Sequence, residues 1–370
     1  MSIFTPVGQA GSQQMTPADR MALVETTRRL LADRSDEAAV RRTMATARGY
    51  DTDLWQALAE LGLTGLIIDE EHGGTGLRAC ELELVAEEMG AALLCSPFLA
   101  SSVFGAALLQ ALAAPTHLPA IAAGSLIVSV AVAGSKGTWT RDDVEVIARD
   151  GVLSGRSAFV LDGQNADILL VVARAQEAIE IFEVPAASAG VTVEPLQTFD
   201  QTRRLAHVHF DNVKGQLLGS GWEAVEQALN VARIALSGEQ VGGGREILNR
   251  TVEYAKQRFQ FGRAIGSFQA IKHMAADLLL ESESALSASR HAAETFDKTP
   301  DEAELALSLA AFTCADAFVK IAADAIQMHG GIGFTWEHCA HLFMRRARSD
   351  AQIFGPSAQY RERFLQALGG

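Results

Sequence analysis

Cysteine is scarce in this chain and without pattern: Cys80, Cys95, Cys314 and Cys339 are four residues in 370, with no CxxC pair among them. That spacing excludes a disulfide framework and a zinc site and points to a reducing compartment. Positive charge is also in deficit. A net charge of −14 is a poor basis for nonspecific nucleic-acid binding, which needs basic patches to displace counterions from phosphates. It does not exclude an anionic small ligand, which a few local arginines, helix N-termini or backbone amides can hold. No stretch of about eighteen uninterrupted apolar residues occurs, so no spanning helix is expected. Residues from Met1 to about Met15 lack the basic start and apolar core of a signal peptide and read as a loose, disordered tail. The expectation is a cytoplasmic protein with neither nucleic acid nor membrane as a partner.

With 48% hydrophobic and 21% charged residues over 370 positions, the chain has material for two or three globular cores. Periodicity divides it into three zones, an α+β multidomain pattern. An N-terminal helical domain covers residues 1–115, with Leu54, Leu58 and Leu61 at helical spacing. A glycine-rich turn at Ile67–Gly76 interrupts it, and a helix from Ala79 to about Leu94 follows. Residues 116–220 alternate with period two in seven short runs, among them Val152–Leu161, Ile168–Val172 and Leu205–Phe210, punctuated by Gly, Asp, Asn and Pro. This pattern predicts a middle antiparallel β-domain. Helical periodicity returns over 221–370, where Gly262 and Gly266 separate two long helices.

Two segments carry the chemistry. Arg258-Phe-Gln-Phe-Gly-Arg-Ala-Ile-Gly-Ser-Phe-Gln269 combines a cation, aromatic rings, a glycine bend and an amide, and Gln327-Met-His-Gly-Gly331 sets an amide and two glycines where a helix ends. A guanidinium suits a pyrophosphate, and glycines let backbone approach a ligand closely. Taken singly, Arg258 fits a solvated helix end, Gln269 and Gln327 surface amides, and Gly330-Gly331 a helix C-cap. In this order and spacing, the two segments resemble the signatures of the flavin-dependent acyl-CoA dehydrogenases. That resemblance implies FAD as cofactor, an acyl-CoA as substrate and an electron-transferring flavoprotein as acceptor. It also implies the family's architecture of helices, β-domain and C-terminal four-helix bundle, in which Leu278, Leu279, Ala285, Leu305, Leu309, Ala317 and Ile321 belong to a bundle continued across subunits. Arg258, Phe261, Gln269, Gln327, Gly330 and Gly331 then become candidate FAD-binding residues. Arg345, Arg346 and Arg348 resemble the family's terminal arginine cluster, which reads as interhelical ion pairing.

The family reaction takes a proton from the carbon beside a thioester carbonyl, so a carboxylate base is needed. Most members carry it as a glutamate in a turn corresponding here to Ile353-Phe-Gly-Pro-Ser357, and Gly355 stands in the glutamate's place. A second group carries it immediately before an arginine that corresponds to Arg233, and that position is Ala232. The nearest carboxylate on the same helix is Glu239, seven residues on, which is the same face but roughly 10 Å along it. Glu239 is therefore the candidate catalytic base, and a buried carboxylate bonded to a neighbouring helix is its bland alternative. Gly238 and Gly242 beside it suit close helix packing.

The segments that in the family surround the flavin ring are altered as well. The loop is Val130-Ala-Val-Ala-Gly-Ser-Lys136, and in the strand Ser157–Asp162 an aromatic remains at Phe159, while Leu161 replaces a hydroxyl. In the family the ring contacts come mainly from one subunit, and the two glycine-bearing segments reach the neighbour's flavin. The pattern resembles the shorter, base-lacking chain of heteromeric α2β2 acyl-CoA dehydrogenases, which completes a homologous partner's FAD site. The alternatives are a self-sufficient homo-oligomer with Glu239 as base, and a flavin monooxygenase or non-catalytic scaffold of the same fold.

Overall fold

The computed structural model of the protein describes residues 15–369; the expected tail, up to residue 14, lies outside the described residues. Short polar side chains start the first helices. Thr16 and Asp19 form a reciprocal capping box at α1 (Pro17–Arg34), Asp36 caps α2 (Glu37–Met44) and Asp51 caps α3 (Thr52–Glu60). The Ile67–Gly76 segment is a tight connector in which a Cβ on Gly74 would overlap the Ile68 carbonyl. It leads into α4 (Ala79–Ala91). A buried π-helical turn, Phe98–Gly105, runs into α5 (Ala106–Ala111), and α6 (Leu118–Ala122) precedes the sheet.

The middle domain is one eight-stranded sheet: β1 (Val128–Ala131), β2 (Ile147–Arg149), β3 (Val152–Leu161), β4 (Ile168–Ala175), β5 (Ala178–Pro185), β6 (Val191–Pro195), β7 (Leu205–Lys214) and β8 (Gln216–Ser220). The order is β6-β7-β3-β2-β4-β5-β8, with β1 also on β4. Most pairs are antiparallel as expected. However, β1 and β2 both run parallel to β4, and β8, which sequence periodicity missed, pairs with β5.

The C-terminal helices are α7 (Trp222–Gln257), α8 (Gln269–Lys298), α9 (Ala303–His329), α10 (Ala340–Asp350) and α11 (Ser357–Ala367). Helices α7, α8 and α9 pack on one another, with α10 and α11 against α9. Leu278, Ala285, Ala317 and Ile321 are buried within the chain, whereas Leu279 is exposed, leaving it available to a neighbour. By length and composition α9 could cross a bilayer, but Ala310, Ala317, Phe318 and Ile321 bury its apolar face in the bundle core. Helix α4 lies across α7 at unusually short range. A Cβ at Gly90, Gly238 or Gly242 would collide with the other helix's backbone, and this close crossing accounts for the glycines around Glu239. The result is a continuous apolar core joining the N-terminal helices, the inner face of the sheet and the first half of α7, with a second core inside the bundle.

Candidate functional site: an open bundle end and a closed centre

Helix α7 ends at Arg258, whose N–H donates to the Tyr254 carbonyl (2.8 Å) and whose carbonyl accepts from Ile265 (2.8 Å). That second bond closes a miniature hairpin, β9 (Phe259–Gln260) against β10 (Arg263–Ala264). Its turn residues Phe261 and Gly262 have φ of +53° and +78°, as a two-residue primed turn requires. The turn aims the Phe261 ring outward, 92% exposed. Arg263 stacks on Phe268, 3.9 Å from the ring centroid, immediately before Gln269 opens α8. The Arg258 side chain is exposed and makes no ion pair among the described residues.

The end of α9 meets the end of α7. The Tyr254 and His329 rings lie 4.5 Å apart, and His329 is 4.2 Å from His338. The His329 ring nitrogen Nδ1 is 2.7 Å from the Ala325 carbonyl, which anchors the helix end. Gly330 follows with φ +65° and ψ −146°, a region essentially reserved for glycine. Gln327, Gly330 and Gly331 are all exposed. The fold thus brings both signature segments to one end of the bundle. A Cβ on Gly262, Gly330 or Gly331 would meet nothing within 4 Å. Packing inside this chain therefore does not demand these glycines for space, although the backbone conformation demands Gly330. What the arrangement offers is a free guanidinium, two exposed amides and bare backbone, which fit an anionic, elongated ligand approaching from outside.

Glu239 lies elsewhere, beneath the α4–α7 crossing. Its carboxylate accepts from both Arg203, at the entrance to β7, and Arg346, on α10. Arg203 also reaches Asp350 (3.3 Å), and Arg346 reaches Asp200 (3.1 Å), the Thr202 hydroxyl (2.9 Å) and the Leu94 carbonyl (3.2 Å). All five charged side chains are buried. Burial opposes ionisation of Glu239, but the two guanidiniums outweigh it and hold its carboxyl below the ordinary range. A carboxylate so held is a weak proton acceptor. Arg346 links the N-terminal helices, the β6–β7 loop and α7, so the cluster bolts all three regions together. Sequence reasoning assigns Arg346 to ion pairing but gives no role to Asp200, Arg203 or Asp350, which lie far from Glu239 along the chain.

Two cations face three carboxylates in this cluster. Burial first, and then the Glu239 charge, pushes the Asp350 pKa up to about 8, so at neutral pH it keeps its proton and the cluster balances at two against two. The ordinary aspartate value is 3.8, so the folded chain binds this proton more tightly than the unfolded chain. Its stabilising contribution is complete below the ordinary value and is lost as pH rises through about 8. Asp350→Asn should therefore stay folded at alkaline pH, gaining at least about 1 kcal/mol over the parent near pH ~9 and nothing near pH ~4. Urea unfolding at the two pH values checks this.

At Gly355, the place of the usual base, a side chain would press on Gln359 and Tyr360 at 3.2 Å, and the residue before it is packed in an aromatic cluster. Phe354 lies 5.4 Å from Phe104 and 5.1 Å from Trp139, centroid to centroid, and all three rings are buried. The Phe354 carbonyl accepts from the Tyr360 hydroxyl, which in turn accepts from Arg233 Nε (2.9 Å). Arg233 is itself buried and donates to Glu226 and Asn230. Ala232 and Leu161 are buried in the same apolar core.

The helical ends, the sheet and the signature segments define a flavin-dependent dehydrogenase framework, and comparison with known proteins identifies it. The acyl-CoA dehydrogenase N-terminal domain matches residues 17–117 and the acyl-CoA dehydrogenase C-terminal domain residues 219–369. The chain belongs to the acyl-CoA dehydrogenase family, FAD-dependent oxidoreductases acting on the CH–CH bond of acyl-CoA thioesters. It is 34% identical over 339 residues to the acyl-CoA dehydrogenase IpdE2 of Mycobacterium tuberculosis, covering 91% of this chain and 93% of that protein. The Mycolicibacterium smegmatis IpdE2 is 32% identical over 339 residues, covering 91% of this chain and 95% of the relative. A single-residue variant of the steroid acyl-CoA dehydrogenase Tcur3481-Tcur3483 superposes with a TM-score of 0.88 at 24% identity, covering 95% of this chain and 98% of that one. The ChsE4-ChsE5 complex from Mycobacterium tuberculosis also gives 0.88 at 24% identity, covering 96% and 98%.

Proposed function

We propose that this chain is the base-lacking subunit of a two-component acyl-CoA dehydrogenase, completing the FAD site of a homologous partner that supplies the catalytic carboxylate. The observation that carries the reading is the closed centre. Gly355 offers no carboxylate, and its neighbour Phe354 is packed against Phe104 and Trp139 in a buried aromatic cluster. The two-component neighbours in fold and the IpdE2 relatives support it.

FAD fits one part of this chain and not another. At the bundle end, Arg258 would take the pyrophosphate, Gln269 and Gln327 the sugar and adenine edges, and Gly330 and Gly331 would admit them to close backbone range. Phe261, exposed apart from an edge-on meeting with Phe268, would lie against the partner. Around the ring position, the hydroxyl expected at residue 161 is a leucine side chain. When bound, FAD supplies the hydride acceptor for the oxidation. Residues of this chain hold its distal end, exclude water there and orient it toward the partner's acyl chain. Glu239 then serves as the interdomain bolt rather than as the base. The substrate class is a bulky acyl-CoA, with an electron-transferring flavoprotein as acceptor.

Flavin content tests the reading. The chain expressed alone should be colourless, and co-expression with a longer, glutamate-bearing relative should give a yellow complex with half as much FAD as chains. One FAD per chain in the protein expressed alone would defeat it.

A further inference from the structure

Helix α10 starts without help from its own N-cap residue, because the Cys339 side chain makes no capping bond. The cap comes from the residue before it. The Ala340 N–H donates to His338 Nδ1 (3.1 Å), which satisfies one of the amides that a helix start leaves without a partner. Only an unprotonated Nδ1 can accept that bond, so it fixes His338 as a neutral ring with its proton on Nε2. The helix that starts here carries Arg346 and Asp350 of the buried cluster, and the turn before it, Gly330–Phe334, carries the glycine backbone of the bundle end.

The ring of His338 lies 4.2 Å from that of His329 and 6.4 Å from that of Tyr254, centroid to centroid. His329 has its own Nδ1 committed as a donor, since the Ala325 carbonyl beside it can only accept. Besides Tyr254, the groups that face His338 are His329 at the end of α9, His341 on α10, Arg250 on α7 and Glu37 on α2. Of these only Glu37 favours a proton on the ring. Burial first, and then His329, holds the His338 pKa below its ordinary value of 6.5, and burial lowers His329 and His341 as well. With the folded value below the unfolded one, the contribution to stability is complete above pH 6.5 and is lost as pH falls below it. A proton on Nδ1 would break the bond to Ala340 and set a positive charge at the positive end of the α10 dipole.

We propose that His338 is a pH-sensitive cap. Neutral, it fastens the start of α10 and the Gly330–Phe334 turn; protonated in mildly acidic solution, it releases them, and with them the hold of this chain on the partner's FAD. The consequence for FAD rests on the reading of this bundle end as the one that grips the cofactor, whereas the release itself does not.

Hydrogen–deuterium exchange of the full chain at pH ~7.5 and pH ~5.5, corrected for the intrinsic pH dependence of exchange, tests the release. Peptides covering residues 330–343 should lose about fivefold or more of their protection at the lower pH, while those of α8 keep theirs. His338→Asn places an amide oxygen where Nδ1 stands and cannot be protonated, so its protection should be the same at both pH values. His338→Phe keeps a ring but offers no acceptor, so it should exchange rapidly at both. Equal protection of the parent at the two pH values, or an equal loss in the parent and in His338→Asn, overturns the proposal. In the yellow complex, the parent should hold FAD about fivefold more weakly at the lower pH and the asparagine variant should not. A parent that loosens yet holds FAD equally at both pH values overturns the link to the cofactor alone. One FAD per chain in the protein expressed alone defeats the subunit reading, and the exchange result then decides the cap by itself.

Discussion

Glu239→Gln should lower the unfolding free energy of the chain by about 3–5 kcal/mol, the usual consequence of removing one partner from a buried ion pair. The substitution leaves two buried guanidiniums, Arg203 and Arg346, facing Asp200 and the protonated Asp350. The chain has one internal remedy. With the Glu239 charge gone, the largest of the charge effects that raise the Asp350 pKa disappears, so Asp350 can ionise and take up part of the excess positive charge. The loss should therefore be larger when Asp350→Asn is added, and the two substitutions should be non-additive. Denaturant midpoints of the single and double variants, at unchanged denaturant dependence, measure both effects. A Glu239→Gln chain of parental stability whose complex has lost turnover would make Glu239 the base after all.

Arg258→Gln should do the opposite, sparing the fold and stripping the cofactor. The side chain is exposed and makes no ion pair among the described residues, so stability should change by less than about 0.5 kcal/mol. In the two-component complex the same change removes a charge-assisted contact to pyrophosphate, worth about 1.5–3 kcal/mol, or roughly 10- to 100-fold in FAD affinity. Lys256→Gln, two residues earlier and paired with Glu253, is the control and should leave FAD in place. FAD retained equally by the Arg258 variant and the control would remove Arg258 from the site.

How far the sequence alone disclosed these features depended on how local each one is. Helices α7 and α8 were legible because Gly262 and Gly266 break an otherwise continuous helical period. The Arg258 and Gln327 segments were legible because each works within a dozen residues. Strand β8 was not, because Gln216–Ser220 is a half-exposed edge whose pairing with Glu180–Glu183 is decided by the fold. The parallel pairing of β1 and β2 with β4 likewise follows from where the chain returns, not from alternation. Least legible was the partnership of Glu239 with Arg203 and Arg346, 36 and 107 residues away. The sequence showed a lone carboxylate between glycines on a suitable stripe. It could not show that Gly238 and Gly242 bring α4 close enough to bury it, or that two arginines wait there.

The empty space around Gly331 sets two kinds of fitness against each other. Its backbone lies outside the left-handed region and inside a short helical turn. Alanine there should make the isolated chain more heat-resistant, by about 0.4–1 kcal/mol through the unfolded state, while crowding whatever the assembled enzyme places against it. A laboratory lineage selected for thermal resilience of the lone chain should lose this glycine early, and one selected for turnover of the assembled pair should keep it.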